Sequence, residues 1–303
     1  MIRFERVSIR GRAGLAVDDL SFTVAPGETL ALIGANGSGK SALLAALAGA
    51  APLAGGEIDV LGHSVSREGT ATRQLTGYVP ASLPGWPALR ADEFLELFAT
   101  AAGLSGKPLA TAIGKALALA GLEQRGQERV DRLSAGQAKR LLVARSLLHD
   151  PQVLVLDDPF RGLDPRGRAD LERLISDAAL MGRCVVAAID DGLVPDCFTD
   201  LAILSGGRLS ARGPAQPERF MPPAGWTYRI ICRGRAEAAA SFLQGSVNDV
   251  HASDENSLDC RLFRDGMSPA TLVQTLVAAG FPVSAAGFHP AWTAQLLLSQ
   301  RGT

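Results

Sequence analysis

The residues with the plainest chemistry in this 303-residue chain are Gly34-Ala35-Asn36-Gly37-Ser38-Gly39-Lys40-Ser41. Their spacing is that of a loop that cradles phosphate between a strand and a helix. The flanks agree, because Glu28 to Ile33 suits a buried strand and Ser41 to Leu47 suits a helix. Gly34, Asn36, Gly37, Ser38 and Gly39 would turn backbone N–H groups inward at a helix N-terminus, where unpaired amides and the helix dipole favour an anion. Lys40 would reach the β- and γ-phosphates of a nucleotide, and the Ser41 hydroxyl would ligate Mg²⁺. A second source of oxygen ligands is Val153-Leu154-Val155-Leu156-Asp157-Asp158, an apolar run ending in two carboxylates. Such a run suits a parallel strand covered on both faces, and the end of that strand is where an α/β sheet places ligand groups. Asp157 is expected to serve Mg²⁺ directly or through its hydration shell.

These groups need a scaffold of strands. The segments Phe4 to Ile9, Leu20 to Val24 and Leu30 to Ile33, broken by turns such as Ala25-Pro26-Gly27-Glu28, predict a small antiparallel sheet leading into the central strand. Gly55 to Gly62 and Gly77 to Pro80 read as further strands. From about Leu89 to Leu122 the period becomes helical, predicting a helical insertion. Leu133-Ser134-Ala135-Gly136-Gln137 then opens an amphipathic helix with Ser134 as a sound N-cap. A helix from Arg168 to Ala179, a strand from Cys184 to Ile189 ending at Asp190-Asp191, and a final pair (Leu201 to Leu204, Arg208 to Ser210) complete the unit.

Pro214, Pro217, Pro222, Pro223 and Gly225 make 213–225 the expected linker. Beyond it the pattern predicts strand (Thr227 to Arg233), helix (Ala236 to Leu243), strand (Val247 to Ala252), strand (Leu258 to Phe263), helix (Pro269 to Ala279), strand (Val283 to Phe288) and a last helix (Ala291 to Gln300). That order is the ferredoxin-like β-α-β-β-α-β. His251 and His289 stand alone as surface or packing residues. The four cysteines, Cys184, Cys197, Cys232 and Cys260, form no metal-binding spacing and are expected as free thiols. Thirty basic residues against thirty-one acidic ones give a net charge of −1, which offers no general attraction to nucleic acid, and none is expected as a partner. The longest uncharged apolar run, 42–54, is too short to span a bilayer, so a cytoplasmic chain that meets the membrane through partners is expected.

Taken together, the phosphate loop, Leu133 to Gln137 as a signature, Leu156-Asp157-Asp158-Pro159 as the second acidic motif and Gly162-Leu163-Asp164 after it resemble the ATP-binding-cassette ATPases over about residues 1–215. The resemblance implies an α/β P-loop ATPase with an antiparallel β subdomain and a helical subdomain at about 89–150, followed by a small α+β domain at 226–303. It implies ATP and Mg²⁺ as cofactors. It also implies a sandwich dimer, homodimeric or heterodimeric with another such ATPase, in which Ser134, Gly136 and Gln137 close over the partner's nucleotide. The C-terminal extension looks like that of exporter ATPases that pair with separate transmembrane subunits, which would hold the chain peripherally at the inner face of the membrane.

The departures from the family pattern fall on hydrolysis. Ala81 stands where the family has a metal-contacting glutamine, Asp158 where it has the glutamate that polarises water, and Asp190 where it has a histidine on the γ-phosphate. With Lys40, Asp158 and Asp190 are the candidate catalytic residues. The stacking aromatic for adenine is missing, leaving Arg10 or Arg12 to stack through a guanidinium plane. A misplacement of about 1 Å can cost ~10²-fold in rate. The resemblance leaves open an exporter ATPase that is slow at its own site, a hydrolysis-deficient regulatory subunit, and a non-transport member of the family.

Overall fold

The computed structural model describes residues 1–12, 14–82, 88–189, 194–215, 225–263 and 266–288. The chain divides into two compact units, Met1–Ala215 and Gln216–Thr303. In the first, strands β1 (Ile2–Gly11) and β2 (Gly14–Val24) form an antiparallel hairpin, followed by β3 (Thr29–Gly34) and helix α1 (Lys40–Leu47). Next come β4 (Gly55–Val60), β5 (His63–Ser64), the short α2 (Gly69–Leu75) and β6 (Thr76–Val79). The helical segment holds α3 (Ala91–Ala101), α4 (Gly106–Leu119) and α5 (Ala135–Ser146); β7 (Val153–Asp157), α6 (Pro165–Leu180), β8 (Cys184–Ala188), β9 (Asp200–Ser205) and β10 (Arg208–Pro214) complete the unit.

Two sheets result. One is antiparallel with order β2-β1-β4-β5; the other has order β10-β9-β3-β8-β7-β6. In the second, β9, β3, β8, β7 and β6 run parallel and β10 turns back antiparallel on β9. The apolar runs in β3, β7 and β8 are buried at every position, as expected for parallel strands covered on both faces. By contrast β1 begins with alternation, placing Ile2 and Phe4 inside and Arg3 and Glu5 outside. The core joins Ile2, Phe4, Ile9 and Leu20 to Leu30, Leu32, Leu43, Leu47, Val155 and Val186. Each fully buried aliphatic side chain contributes about 1.5–3 kcal/mol relative to exposure, so α1 is anchored between the two sheets and holds its N-terminus in place.

The structure refines several boundaries. Gly55 to Gly62 extends the antiparallel sheet against β1, whereas Gly77 to Pro80 forms the edge of the parallel one. Helix α6 starts at Pro165, three residues before the expected Arg168, because the Asp164 carboxylate accepts from Gly167 N at 2.7 Å as an N-cap and Pro165 takes the first turn. Gly213 and Pro214, expected in the linker, pair with Leu201 and Asp200 on the edge strand β10, a position where proline loses no ladder bond.

The second unit consists of β11 (Trp226–Cys232), α7 (Ala236–Leu243), β12 (Asn248–Ala252), β13 (Ser257–Leu262), α8 (Pro269–Ala278) and β14 (Val283–Phe288). Its antiparallel sheet has order β12-β13-β11-β14, the ferredoxin-like arrangement. Trp226, Tyr228, Ile230 and Cys232 point inward on alternate positions of β11. The expected helix at 291–300 and His289 lie outside the described residues. All four cysteines are free thiols, and among the described residues no helix is long and apolar enough to cross a membrane.

Candidate functional site

The phosphate loop connects the C-terminal end of β3 to the first turn of α1. Gly39 is the N-cap of α1 with φ 102°, and a Cβ there would lie 2.3 Å from the Ala16 carbonyl oxygen of β2. Both the backbone conformation and the neighbouring strand therefore demand glycine. The Ser38 hydroxyl is buried and has no hydrogen-bond partner among the described residues. Lys40 is buried, and its ammonium donates to the Gly34 carbonyl at 2.8 Å and the Ala35 carbonyl at 3.4 Å. A buried cation, an orphaned hydroxyl and a helix N-terminus in one loop fit a bound anion.

The carboxylates arrive from β7, one strand removed from β3 in the sheet. The Ser41 hydroxyl donates to Asp157 Oδ1 at 3.1 Å, so the two oxygens expected to serve Mg²⁺ are already side by side. Oxygen donors of this kind suit a hard cation. Asp158 follows at the point where the chain leaves the strand. Its φ is 47°, a left-handed conformation that aspartate adopts more readily than most residues, and its N–H donates to the Ala188 carbonyl at 3.1 Å. Its side chain is 10% exposed and lies 3.5 Å from Arg161 Nη1, an ion pair open to solvent on the arginine side.

Ser134, Gly136 and Gln137 form a second group at the N-terminus of α5. The Ser134 hydroxyl accepts from Gln137 N at 3.3 Å while Gln137 Oε1 accepts from Ser134 N at 2.8 Å, a reciprocal capping box. The serine keeps its own O–H proton for another acceptor. Gly136 sits against the loop after β7, where a Cβ would come within 2.8 Å of the Gly162 carbonyl oxygen. Asp190, the third candidate catalytic residue, lies outside the described residues. Arg10 and Arg12 are exposed at the end of the β1–β2 hairpin.

Sequence reasoning did not single out Lys139. This residue of α5 is buried, and its ammonium donates to the carbonyls of Ala81 (2.9 Å), Pro80 (3.4 Å) and Asp157 (3.4 Å). Burial pushes its pKa down, opposed by the Asp158 and Asp157 carboxylates. Farther along α5, Arg145 Nη2 donates to the Tyr78 carbonyl at 2.5 Å, its pKa also lowered by burial. The signal was in the helical period: Lys139, Leu142 and Ser146 share one buried stripe at i, i+3 and i+7.

Comparison with known proteins agrees with this geometry. Residues 17–161 match the family described as ABC transporter. The chain is 32% identical over 238 residues to the human phospholipid-transporting ATPase ABCA7, covering 77% of this chain and 11% of that protein. It is 39% identical over 167 residues to the Nod factor export ATP-binding protein I of Burkholderia pseudomallei (strain 1710b), covering 55% of each. The chain thus spans about a tenth of the first relative and about half of the second. Among solved structures, an ATP-binding subunit of an ABC transporter superposes with a TM-score of 0.65 at 25% identity, over 72% of this chain and 92% of that one. The dimeric ATP-binding cassette MJ0796 bound to ADP and phosphate shares the fold with a TM-score of 0.66 at 23% identity, over 71% of this chain and 99% of that one. With a phosphate loop, paired carboxylates and a capped signature helix on this fold, the chain belongs to the ABC transporter family as an ATP-binding domain.

Proposed function

We propose that the chain is the ATP-binding subunit of an ABC exporter that binds Mg²⁺-ATP, dimerises around it and drives separate transmembrane subunits at the inner face of the membrane. The observation that carries this reading is the meeting of Ser41 with Asp157 beside a glycine-lined loop holding a buried Lys40. The export and phospholipid-transport names of the two relatives support the exporter assignment. Gly34, Asn36, Gly37, Ser38 and Gly39 would hold the phosphates, Lys40 would exchange its loop carbonyls for phosphate oxygens, and Ser41 and Asp157 would hold the metal. When bound, Mg²⁺ neutralises charge on the terminal phosphates. Ser134 and Gly136 would serve the nucleotide of the dimer partner, a second copy or a related chain.

Asp158 would be the carboxylate that accepts a proton from the attacking water. It is one methylene shorter than the family's glutamate, and Ala81 offers no side-chain ligand, so hydrolysis at this chain's own site is slow. Asp190 would present a further negative charge to the γ-phosphate, adding to that deficit. Calorimetry with Mg²⁺-ATP tests the core of the proposal. The wild-type chain should bind, and Lys40→Ala should lose most of the affinity; unchanged affinity in the variant overturns the assignment.

A further inference from the structure

One edge of the parallel sheet is satisfied by basic side chains from a single helical segment. Among the described residues β6 pairs with β7 on one side only. Thr76, Tyr78 and Pro80 alternate along this segment, so their carbonyls point the same way, toward the unpaired side. Those three carbonyls accept from His149 Nε2 at 3.3 Å, Arg145 Nη2 at 2.5 Å and Lys139 Nζ at 3.4 Å. Lys139 and Arg145 belong to α5, and His149 lies just beyond its end. The backbone groups of an exposed edge are usually left to water or blunted; here α5 supplies the missing donors.

At the upper end of this ladder Lys139 reaches further. Its ammonium also donates to Ala81 O at 2.9 Å and to Asp157 O at 3.4 Å, so three N–H donors meet three carbonyls from two different segments. An aliphatic side chain of similar length would fill the volume without the desolvation cost of a buried charge. The ammonium is therefore spent on joining α5, the segment after β6 and the end of β7.

We infer that Lys139 is a positioning residue, tying the signature helix α5 to the Asp157-Asp158 carboxylates and to Ala81. Displacement of Ser134 and Gly136 at the helix N-terminus is then carried to the metal-side carboxylates through this side chain. The inference rests on the reading that those carboxylates serve ATP hydrolysis, and the experiment separates the two. In the full chain, Lys139→Met keeps the aliphatic stem and removes the donors, and Lys139→Arg restores a cation. Steady-state Mg²⁺-ATP hydrolysis should show kcat reduced about 10-fold or more in the methionine variant, since small misplacements of reacting groups are costly. KM for ATP should change less than about 2-fold, because the phosphate loop is untouched, and arginine should recover part of kcat. Hydrogen exchange should rise at residues 76–82 and 153–158 with methionine and not with arginine.

Wild-type kcat in the methionine variant, or a raised KM at unchanged kcat, overturns the inference. Should the wild-type chain turn over no ATP, the hydrolytic reading fails by itself, and unchanged exchange at both segments still overturns the tie. Lys139→Gln, which keeps a donor without the charge, is the second variant if methionine prevents folding; it should fall between wild type and loss, and full activity with unchanged exchange would refute the role.

Discussion

Replacing Arg145 with methionine tests whether the ladder of basic side chains on β6 holds the unit together or merely fills space. The guanidinium gives Tyr78 O a charge-assisted hydrogen bond at 2.5 Å, and its carbon lies 4.9 Å from the Phe98 ring centroid of α3. Losing a hydrogen bond to a charged group costs about 1.5–3 kcal/mol, and the cation–π contact adds about 0.5–1 kcal/mol since Phe98 is partly exposed. Against these stands the relief of desolvation, whose presence is evident in the arginine pKa being pushed down by burial. Methionine recovers packing but leaves the Tyr78 carbonyl without this donor, so a net loss of about 2 kcal/mol is expected. For a unit of this size about 2–4 °C of Tm follows each kcal/mol, giving a fall of about 4–8 °C in the calorimetric transition of residues 1–215. A double-mutant cycle with Phe98→Leu should return a coupling of about 0.5–1 kcal/mol. An unchanged or higher Tm for Arg145→Met would show that burying the guanidinium costs as much as its contacts return, and the ladder would then be no source of stability.

Ser134→Arg should leave Mg²⁺-ATP binding to the monomer intact while abolishing ATP-induced dimerisation in light scattering; loss of monomer binding would mean that the signature has been misassigned. Loss of the capping box should also lower stability by about 0.5–2 kcal/mol. The triple variant Ala81→Gln, Asp158→Glu, Asp190→His should raise single-turnover hydrolysis, whereas single reversions do little because groups acting as a unit are non-additive; a wild-type kcat already at about 1–100 s⁻¹ would refute the slow-site reading. Burial lowers the pKa of His149 from its ordinary value of 6.5, so it charges more readily in the unfolded chain than in the folded one. Its contribution to stability is present above about pH 6.5 and lost as pH falls toward its folded pKa. His149→Gln should therefore flatten the acid-side fall in Tm between about pH 7 and pH 5; an equal slope in both proteins would locate the pH dependence elsewhere.

The phosphate loop was legible because its glycines answer to local geometry: Gly39 combines φ 102° with the approach of Ala16 O, and few other sequences fit that turn. The buried strands were legible for a similar reason, since only strands covered on both faces read as unbroken apolar runs. Partnerships distant in sequence were not. Nothing local in Gly55–Val60 says that it pairs with β1 rather than with the parallel sheet. Helix α2 was missed because it is a short polar segment, GTATRQL, with Thr72 as its buried residue, and it follows neither strong propensity nor a clear apolar period. The start of α6 could have been read, because Asp164-Pro165 is an N-cap followed by a proline in the first turn. Lys139 was not singled out from the sequence, although its stripe with Leu142 and Ser146 points inward.

The departures from the family pattern gain a physical setting from that lysine. Ala81 contributes a main-chain carbonyl to the ammonium, so the missing glutamine side chain does not detach this segment from the core. Asp157 contributes another carbonyl, and both neighbouring carboxylates favour the lysine's charge. A glutamine restored at position 81 would leave those main-chain bonds in place, because they do not depend on the side chain at that position. Placement of the carboxylates and the chemistry of their side chains are therefore separable in this site. On the proposed reading, Lys139 and the two carbonyls set where the end of β7 stands relative to α5, while Ala81, Asp158 and Asp190 would set how effectively that arrangement acts on water and on the γ-phosphate. On that reading, a site whose cradle, metal-side oxygens and helix tie are intact would retain the means to bind nucleotide and to report binding to the signature helix. Nucleotide-driven closure would then ask less of Asp158 than hydrolysis would.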